Sequence, residues 1–198
     1  MKDKLLLVGA GGLGRVTLEH AMEKYQCHFV DDSYPVGMEI CGTPVVGAIA
    51  DLPALRKEYQ LLVVTIGNNA LREELYAQAD ALDYEFPSIL ARTAYVSPFA
   101  QMGWGCILLN NAVVQNGAQV GNGSILNVGA EAHHDCTIDD FALIYTNSVI
   151  RTGATVGKRA KIGSTVTLSN FAAVPEDAII PDGSVVTPEE ETKFETNQ

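Results

Sequence analysis

The second half of the chain places hydrophobic residues at a strict interval of six. Sixteen such positions run from Leu90 to Ile180, and fourteen of them are Leu, Ile or Val, the exceptions being Met102 and Ala132. Four residues after each stands Ala, Ser or Cys, except at Val166. Neither an amphipathic helix nor an ordinary strand repeats every six residues with large and small side chains in fixed phase. The pattern therefore predicts a structural repeat.

A triangular prism explains this pattern. Three six-residue segments, each with one short strand, close into a coil, and successive coils stack through hydrogen bonds. The branched side chains would fill the interior, the small ones would lie near the corners, and residues 18 apart would form columns. Stacked coils bury a continuous core that one coil alone could not. Residues 90–185 are therefore predicted to form a parallel β-helix of about five coils, followed by an acidic, polar tail at 186–198.

The first half of the chain alternates short apolar runs with helical stretches. The predicted strands are 5–8, 27–30 and 61–66, the predicted helices are 16–25, 51–59 and 70–81, and residues 84–90 lead into the β-helix. Such alternation is typical of a small parallel sheet with helices packed on it. Residues 1–89 are therefore predicted to be a separate, Rossmann-like α/β domain.

A glycine motif follows the first predicted strand. Gly9, Gly11 and Gly14 fit the spacing G-x-G-x-x-G, and Asp31 follows 17 residues after Gly14. Glycines there let the backbone approach a pyrophosphate, whose charge meets a helix N-terminus. A dinucleotide is one interpretation, although a single βαβ unit is short for NAD. A substrate linked to a nucleoside diphosphate needs less space, and a purely structural tight turn is the third interpretation.

Composition and charge limit the classes of partner that the protein is expected to bind. The net charge of −11, without any run of Lys or Arg, argues against nucleic acid and gives little reason to expect binding to anionic lipid. No segment has the roughly 18 consecutive apolar residues that a membrane span needs, and the first apolar run is too short for a signal peptide. We expect a cytoplasmic protein. The cysteines show no metal-binding spacing, and Cys106 and Cys136 fall at small-residue positions of the repeat, which favours buried, unreactive thiols.

Together these features resemble the sialic acid O-acetyltransferase and UDP-4-amino-sugar N-acetyltransferase family, up to about Val186. The matching stretches are Gly9 to Gly14, Asp31-Asp32, residues 66–69 followed by Arg72, Leu126-Asn127 and His134-Asp135-Cys136. The last of these, a tripeptide of histidine, an acid and cysteine, is the most specific.

Three positions depart from the family pattern. Leu13 stands where a histidine is common in the glycine loop, Leu143 stands where a second histidine is often found, and Ala91-Arg92 replaces the usual His-Pro at the domain junction.

The resemblance implies a left-handed β-helix that forms a homotrimer, with acetyl-CoA as co-substrate between neighbouring subunits and a nucleotide-linked amino sugar on the first domain. Active sites would then lie between subunits. The residues expected to bind the nucleotide sugar are Gly11, Gly12, Leu13, Asp31, Asp32 and Gly67. Asn127 is a candidate for holding the sugar or the catalytic histidine, or is simply a polar corner residue.

The resemblance makes His134 the general base. Acetylation of a sugar amine removes a proton as nitrogen attacks the thioester, and histidine suits this because it titrates near neutral pH. The neighbouring carboxylate of Asp135 would fix the histidine tautomer. Both substrates can be held together for direct attack, so no covalent enzyme intermediate and no metal is expected.

A column of the predicted prism suggests the cofactor path. Thr146, Ser164 and Asp182 lie 18 residues apart, and the pantetheine arm of CoA would run along such a column. Ser164 and Asp182 of this column are therefore expected cofactor neighbours, through their backbone, and so is Leu143, which stands where the resemblance places a second histidine near CoA.

The leading hypothesis is an acetyl-CoA-dependent N-acetyltransferase acting on the 4-amino group of a UDP-linked 4-amino-4,6-dideoxy sugar of the UDP-N-acetylbacillosamine type. One alternative is O-acetylation of sialic acid or another sugar. A second is a trimeric assembly module with a nucleotide-sensing domain, in which changing His134 would cost no function. Carbonic anhydrase chemistry would need three histidines around zinc, and only His133 and His134 lie in the predicted β-helix.

Overall fold

The computed structural model describes residues 2–188, so residues 189–198 of the predicted tail lie outside the described residues. The chain divides into two compact units, of which the first ends at Ile89 and the second begins at Leu90. No helix in the described part is long and apolar enough to cross a membrane.

The first unit is a sheet with helices. Its elements are β1 (Lys4–Val8), α1 (Gly12–Ala21), β2 (Gln26–Val30), β3 (Glu39–Ile40), β4 (Thr43–Gly47), a 3-10 turn (Ile49–Asp51), α2 (Leu52–Leu55), β5 (Leu61–Val64) and α3 (Asn69–Asp80). The strand order is β3-β4-β2-β1-β5, and β1, β2, β4 and β5 are parallel. β1 lies inside the sheet with residues 5–8 fully buried, which explains its uninterrupted apolar run.

Two parts of this unit differ from the prediction. The hairpin of β3 and β4 was not predicted: its loop is Cys41-Gly42, with φ of 52° and 71°, and it lacks the Asn or Asp that usually marks such a turn. The helices at 16–25 and 51–59 were placed wrongly. α1 begins four residues earlier, at Gly12, so that Gly12 and Gly14 lie in its first turn; glycine is a poor helix former, which is why the pattern placed the start too late. The second helix is only the 3-10 turn followed by α2.

The second unit is built from two-residue strands. In chain order they are β6 (Ile89–Leu90), β7 (Tyr95–Val96), β8 (Gln101–Met102), β9 (Ile107–Leu108), β10 (Val113–Val114), β11 (Gln119–Val120), β12 (Ile125–Leu126), β13 (Glu131–Ala132), β14 (Thr137–Ile138), β15 (Leu143–Ile144), β16 (Val149–Ile150), β17 (Thr155–Val156), β18 (Lys161–Ile162), β19 (Thr167–Leu168), β20 (Ala173–Val174), β21 (Ile179–Ile180) and β22 (Val185–Val186).

These strands form three parallel sheets, the faces of a prism. Face 1 is β6-β9-β12-β15-β18-β21, face 2 is β7-β10-β13-β16-β19-β22 and face 3 is β8-β11-β14-β17-β20. Every pairing joins residues 18 apart, as the six-residue period requires. We call the turns after face 1, face 2 and face 3 corners 1, 2 and 3.

The interior of the prism holds both sets of residues that the period picked out. The aliphatic positions from Leu108 to Val186 are almost fully buried, and so are the small positions from Cys106 to Ala178. Where serine takes a small position, its hydroxyl is paired: Ser124 donates to the carbonyl of Asp139 at 2.9 Å and accepts from the N–H of Ala142 at 3.1 Å. Paired hydroxyls keep the interior free of unsatisfied polar groups at these positions.

Candidate active site

One cavity of about 400 Å³ in the first unit brings together the six residues predicted there to bind a nucleotide sugar. They are Gly11, Gly12, Leu13, Asp31, Asp32 and Gly67. These residues follow the carboxyl ends of β1, β2 and β5. The strand order changes direction at β1, and this edge of an open parallel sheet is where ligands bind.

The glycines around the cavity divide into two kinds. A Cβ at Gly14 would lie 2.0 Å from the carbonyl oxygen of Gly9, and Gly9 itself has φ of 107°, so the packing of β1 against α1 requires both. A Cβ at Gly11, Gly12 or Gly67 would meet nothing within 4 Å, and none of the three has a positive φ. The protein alone does not need glycine at those three positions, whereas a ligand pressed against the backbone would.

The start of α1 adds a place for negative charge. The helix begins at Gly12, and its N-cap residue, Gly11, has no side chain to accept from the first N–H groups. The unpaired N–H groups of a helix N-terminus attract phosphate. Both residues line the cavity.

The two acids shape the walls of this cavity. The Asp31 carboxylate accepts from the N–H of Ala10 at 2.7 Å and from the N–H of Ser33 at 2.8 Å, which ties the glycine loop to the end of β2. Asp32 accepts from the N–H of Ile49 at 2.8 Å. Their carboxylates are therefore engaged with backbone groups of the loops around the cavity.

Arg72 supports the third wall. It is fully buried, and its Nη1 donates to the carbonyl of Ile66 at 2.9 Å, directly before Gly67. Asn68 caps α3 by accepting from the N–H of Leu71 at 3.0 Å. Residues 66–69 and Arg72, which match the family by sequence, therefore form and support the loop that carries Gly67.

In the second unit, His134 and Asp135 form a hydrogen-bonded pair at corner 2. Nδ1 of His134 lies 2.8 Å from Oδ2 of Asp135, and the two side chains are 55% and 70% exposed, so a substrate can reach them. Asp135 adopts a left-handed backbone conformation (φ 61°), which aspartate tolerates better than most residues. A Cβ at Gly117 would lie 2.3 Å from Oδ1 of Asp135, so the glycine one coil earlier makes room for this carboxylate.

The pair determines which ring nitrogen carries the proton. A carboxylate can only accept hydrogen bonds, so Nδ1 of His134 is the protonated nitrogen and Nε2 carries the lone pair. This is the tautomer that a general base needs.

Sequence reasoning missed two further contacts of His134. Its backbone N–H donates to Oε1 of Gln115 at 3.0 Å, and its Nε2 lies 3.0 Å from Oγ1 of Thr152. Thr152 stands 18 residues after His134, in the same column. The six-residue period would have found it if it had been applied to His134 itself.

His133 has a separate partner. Its Nε2 lies 3.0 Å from Oε2 of Glu131 on β13, so the two adjacent histidines bind different acids. No group of three or more His, Cys, Asp or Glu side chains among residues 2–188 is placed to hold a metal ion.

Three of the remaining predicted residues, Asn127, Ser164 and Asp182, lie at corner 1, not with His134. Oδ1 of Asn127 accepts from the N–H of Val128 at 2.9 Å, and Oδ1 of Asp182 accepts from the N–H of Ser164 at 2.6 Å, so Ser164 and Asp182 do stack in one column. Leu143 belongs to face 1 and is only 2% exposed, which leaves its side chain almost no free surface. Within one prism, face 2 separates this group from His134.

Comparison with known proteins places this arrangement in a family. Residues 4–79 match the family model described as the PglD N-terminal domain. The acetyltransferase domain of PglB from Neisseria gonorrhoeae FA1090, in complex with acetyl coenzyme A, is 30% identical, with a TM-score of 0.86 and all of both chains covered. PerB from Caulobacter crescentus, in complex with CoA and GDP-perosamine, is 27% identical, with a TM-score of 0.88 and 93% of this chain and 88% of that chain covered.

These likenesses extend over both units, and they confirm the predicted fold class and the predicted resemblance. The chain therefore belongs to the family of sugar acetyltransferases that join a PglD N-terminal domain to a left-handed β-helix, and it is an acyltransferase.

Proposed function

We propose that the protein transfers the acetyl group of acetyl-CoA to the 4-amino group of a UDP-linked 4-amino-4,6-dideoxy sugar. The single observation that carries this proposal is the exposed His134, held by Asp135 in the tautomer of a general base. The complexes of its relatives with acetyl coenzyme A, and with CoA and GDP-perosamine, support acetyl transfer to a nucleotide-linked amino sugar.

The proton of the sugar amine defines the role of His134. As the amine nitrogen bonds to the thioester carbonyl, it becomes positively charged and must lose a proton. Nε2 of His134 takes up this proton, and the Asp135 carboxylate stabilises the resulting imidazolium through Nδ1. The C–S bond then breaks, and the thiolate of CoA takes a proton from His134, which returns the enzyme to its starting state.

The nucleotide sugar is assigned to residues 1–89. The diphosphate would lie at the N-terminus of α1, where Gly11 and Gly12 allow close approach, and Gly67 would face the same ligand. A cavity of about 400 Å³ is of the size that binds part of a nucleotide sugar. UDP, and not GDP, remains the prediction from the family that the sequence resembles.

Residues 90–185 are assigned to acetyl transfer, with acetyl-CoA running along corner 1 past Ser164 and Asp182. His134 lies at corner 2 of the same prism, so a cofactor at corner 1 would meet His134 of a neighbouring subunit. We therefore propose a homotrimer with acetyl-CoA between subunits, which agrees with closed ring symmetry as a common form of oligomer.

A thioester-consumption assay tests this function. Acetyl-CoA would be offered with UDP-linked and GDP-linked 4-amino sugars and with sialic acid, and wild type would be compared with His134→Ala and with His133→Ala as the matched control. Loss of the general base should lower kcat by about 10²–10⁴-fold, while His133→Ala should keep most of the activity.

Each arm of the assay has a result that would contradict the proposal. Full activity of His134→Ala would refute the assigned mechanism. Turnover of the GDP-linked sugar alone would replace UDP, and turnover of sialic acid alone would move the reaction to O-acetylation. The absence of turnover with every acceptor would favour the assembly-module alternative.

A further inference from the structure

The lone pair of the proposed base is already occupied. Nε2 of His134 is the unprotonated nitrogen, and Oγ1 of Thr152 lies 3.0 Å from it. The hydroxyl of Thr152 is therefore the donor in this contact, and His134 is the acceptor. An imidazole nitrogen has one lone pair, in the plane of the ring, so it cannot fully accept from Thr152 and from a sugar amine together.

Thr152 is held in its place. It is β-branched, which restricts rotation about its first side-chain bond, and it is only partly exposed. Its carbonyl oxygen accepts from the N–H of Phe171 at 3.0 Å. The backbone of Thr152 is therefore fixed at this corner, and a proton can pass through its hydroxyl without any movement of the side chain.

The geometry points to Thr152 as a proton relay between the sugar amine and His134, an inference that rests on the proposed function of His134. The amine nitrogen bonds to the carbonyl carbon of the acetyl thioester and gives its proton to Oγ1 of Thr152. In the same step, the hydroxyl proton of Thr152 passes to Nε2 of His134. The C–S bond breaks, and the thiolate receives the proton from the imidazolium back through Thr152. Threonine and histidine both end as they began.

This relay assigns the amine to a position beside Oγ1 of Thr152, not beside the histidine ring. His134 then stores the proton with help from Asp135, and Thr152 is the group that touches the reacting nitrogen. Because the hydroxyl donates and accepts at once, a hydroxyl is required at this position, and a methyl group of the same shape cannot replace it.

Two substitutions isolate the hydroxyl. Thr152→Val keeps the shape of the side chain and removes the hydroxyl, so its kcat should fall about 10–100-fold, a part of the general-base effect, with an unchanged KM for acetyl-CoA. Thr152→Ser restores the hydroxyl and should restore most of kcat. Thr155→Val, at an exposed position of β17 in the next segment of the chain, is the matched control and should leave kcat unchanged. Thermal unfolding of each variant checks that the fold is kept.

A proton inventory in mixtures of H₂O and D₂O, under single-turnover conditions, gives the decisive measurement. The relay predicts a curved dependence for wild type, because two protons move in one step, and a linear one for Thr152→Val. A linear dependence for wild type would overturn the relay, and so would full activity of Thr152→Val or failure of Thr152→Ser to recover.

His134→Ala separates this inference from the function on which it rests. If His134→Ala is inactive and Thr152→Val is fully active, the proposed function stands and the relay fails. If His134→Ala is fully active, both fail.

Discussion

Cys27 and Cys136 are buried, and burial raises the pKa of their thiols from an ordinary 9.0 to about 11 and about 12. The cause is loss of hydration, which disfavours the charged thiolate. Alkylating reagents attack the thiolate, so a higher pKa means slower reaction at any pH below it. Cys41, in the loop between β3 and β4, is exposed.

We therefore expect iodoacetamide at pH 8 to modify Cys41 in the folded protein, and Cys27 and Cys136 only after denaturation. Peptide mass spectrometry of folded and denatured samples, labelled in parallel, gives the extent of modification at each cysteine. Rapid labelling of Cys136 in the folded protein would contradict its place in the core.

The sequence made His134 and Asp135 easy to find and Thr152 hard to find, for one physical reason. The first two are adjacent and form a recognisable tripeptide with Cys136, so local sequence carries the signal. Thr152 reaches His134 only because the coil returns to the same corner after 18 residues. A contact of this kind belongs to the fold and becomes visible only when the coil register is applied to the catalytic residue.

The glycine motif from Gly9 to Gly14 combines glycines that the packing requires with ones that the fold does not require. Gly14→Ala would place a Cβ 2.0 Å from the carbonyl oxygen of Gly9, so we expect a loss of about 1–3 kcal/mol in the free energy of unfolding. Gly12→Ala meets open space in the first turn of α1 and should leave stability unchanged or slightly raised.

Ligand binding should show the reverse order for the two variants. Gly12 lines the cavity, so its alanine variant should raise the KM for the nucleotide sugar about tenfold or more, equivalent to about 1.4 kcal/mol of lost binding, with an unchanged KM for acetyl-CoA. Denaturant melts and steady-state kinetics on both variants check this pair. An unchanged KM in Gly12→Ala would argue that the nucleotide does not touch this turn.

The strands of the β-helix were predictable from sequence, whereas several elements of the first unit were not. Each two-residue strand of the prism ends on a residue of the six-residue series. The side chain at that position points into the core, which accepts only apolar residues there. The hairpin of β3 and β4 has no such repeat, and its Cys41-Gly42 turn depends on a cysteine with positive φ, which propensity does not favour. The repeat states the same residue pattern many times along the chain, whereas the turn of the hairpin occurs once and has no pattern to compare it with.

The proposed homotrimer rests on the positions of corners 1 and 2 on opposite sides of face 2. His134 lies at corner 2, while Ser164 and Asp182 stack at corner 1 of the same prism, across face 2. If the pantetheine arm runs along corner 1, face 2 lies between the cofactor and His134 of the same subunit. The proposed trimer resolves this by setting corner 1 of one subunit against corner 2 of the next.

Mixed trimers test that arrangement. His134→Ala lacks the base, and Ser164→Trp should block the cofactor path by adding bulk at a half-exposed corner position. Each variant alone should be inactive. If each site takes its base and its cofactor corner from different subunits, unfolding and refolding an equal mixture should restore about a quarter of the wild-type activity. In about a quarter of the interfaces, an unchanged corner 1 from a His134→Ala subunit meets an unchanged His134 from a Ser164→Trp subunit.

Separately refolded and then mixed samples are the control. No recovery in co-refolded samples, with trimers confirmed by light scattering, would mean that base and cofactor belong to one subunit, and that the path of CoA along corner 1 is wrong.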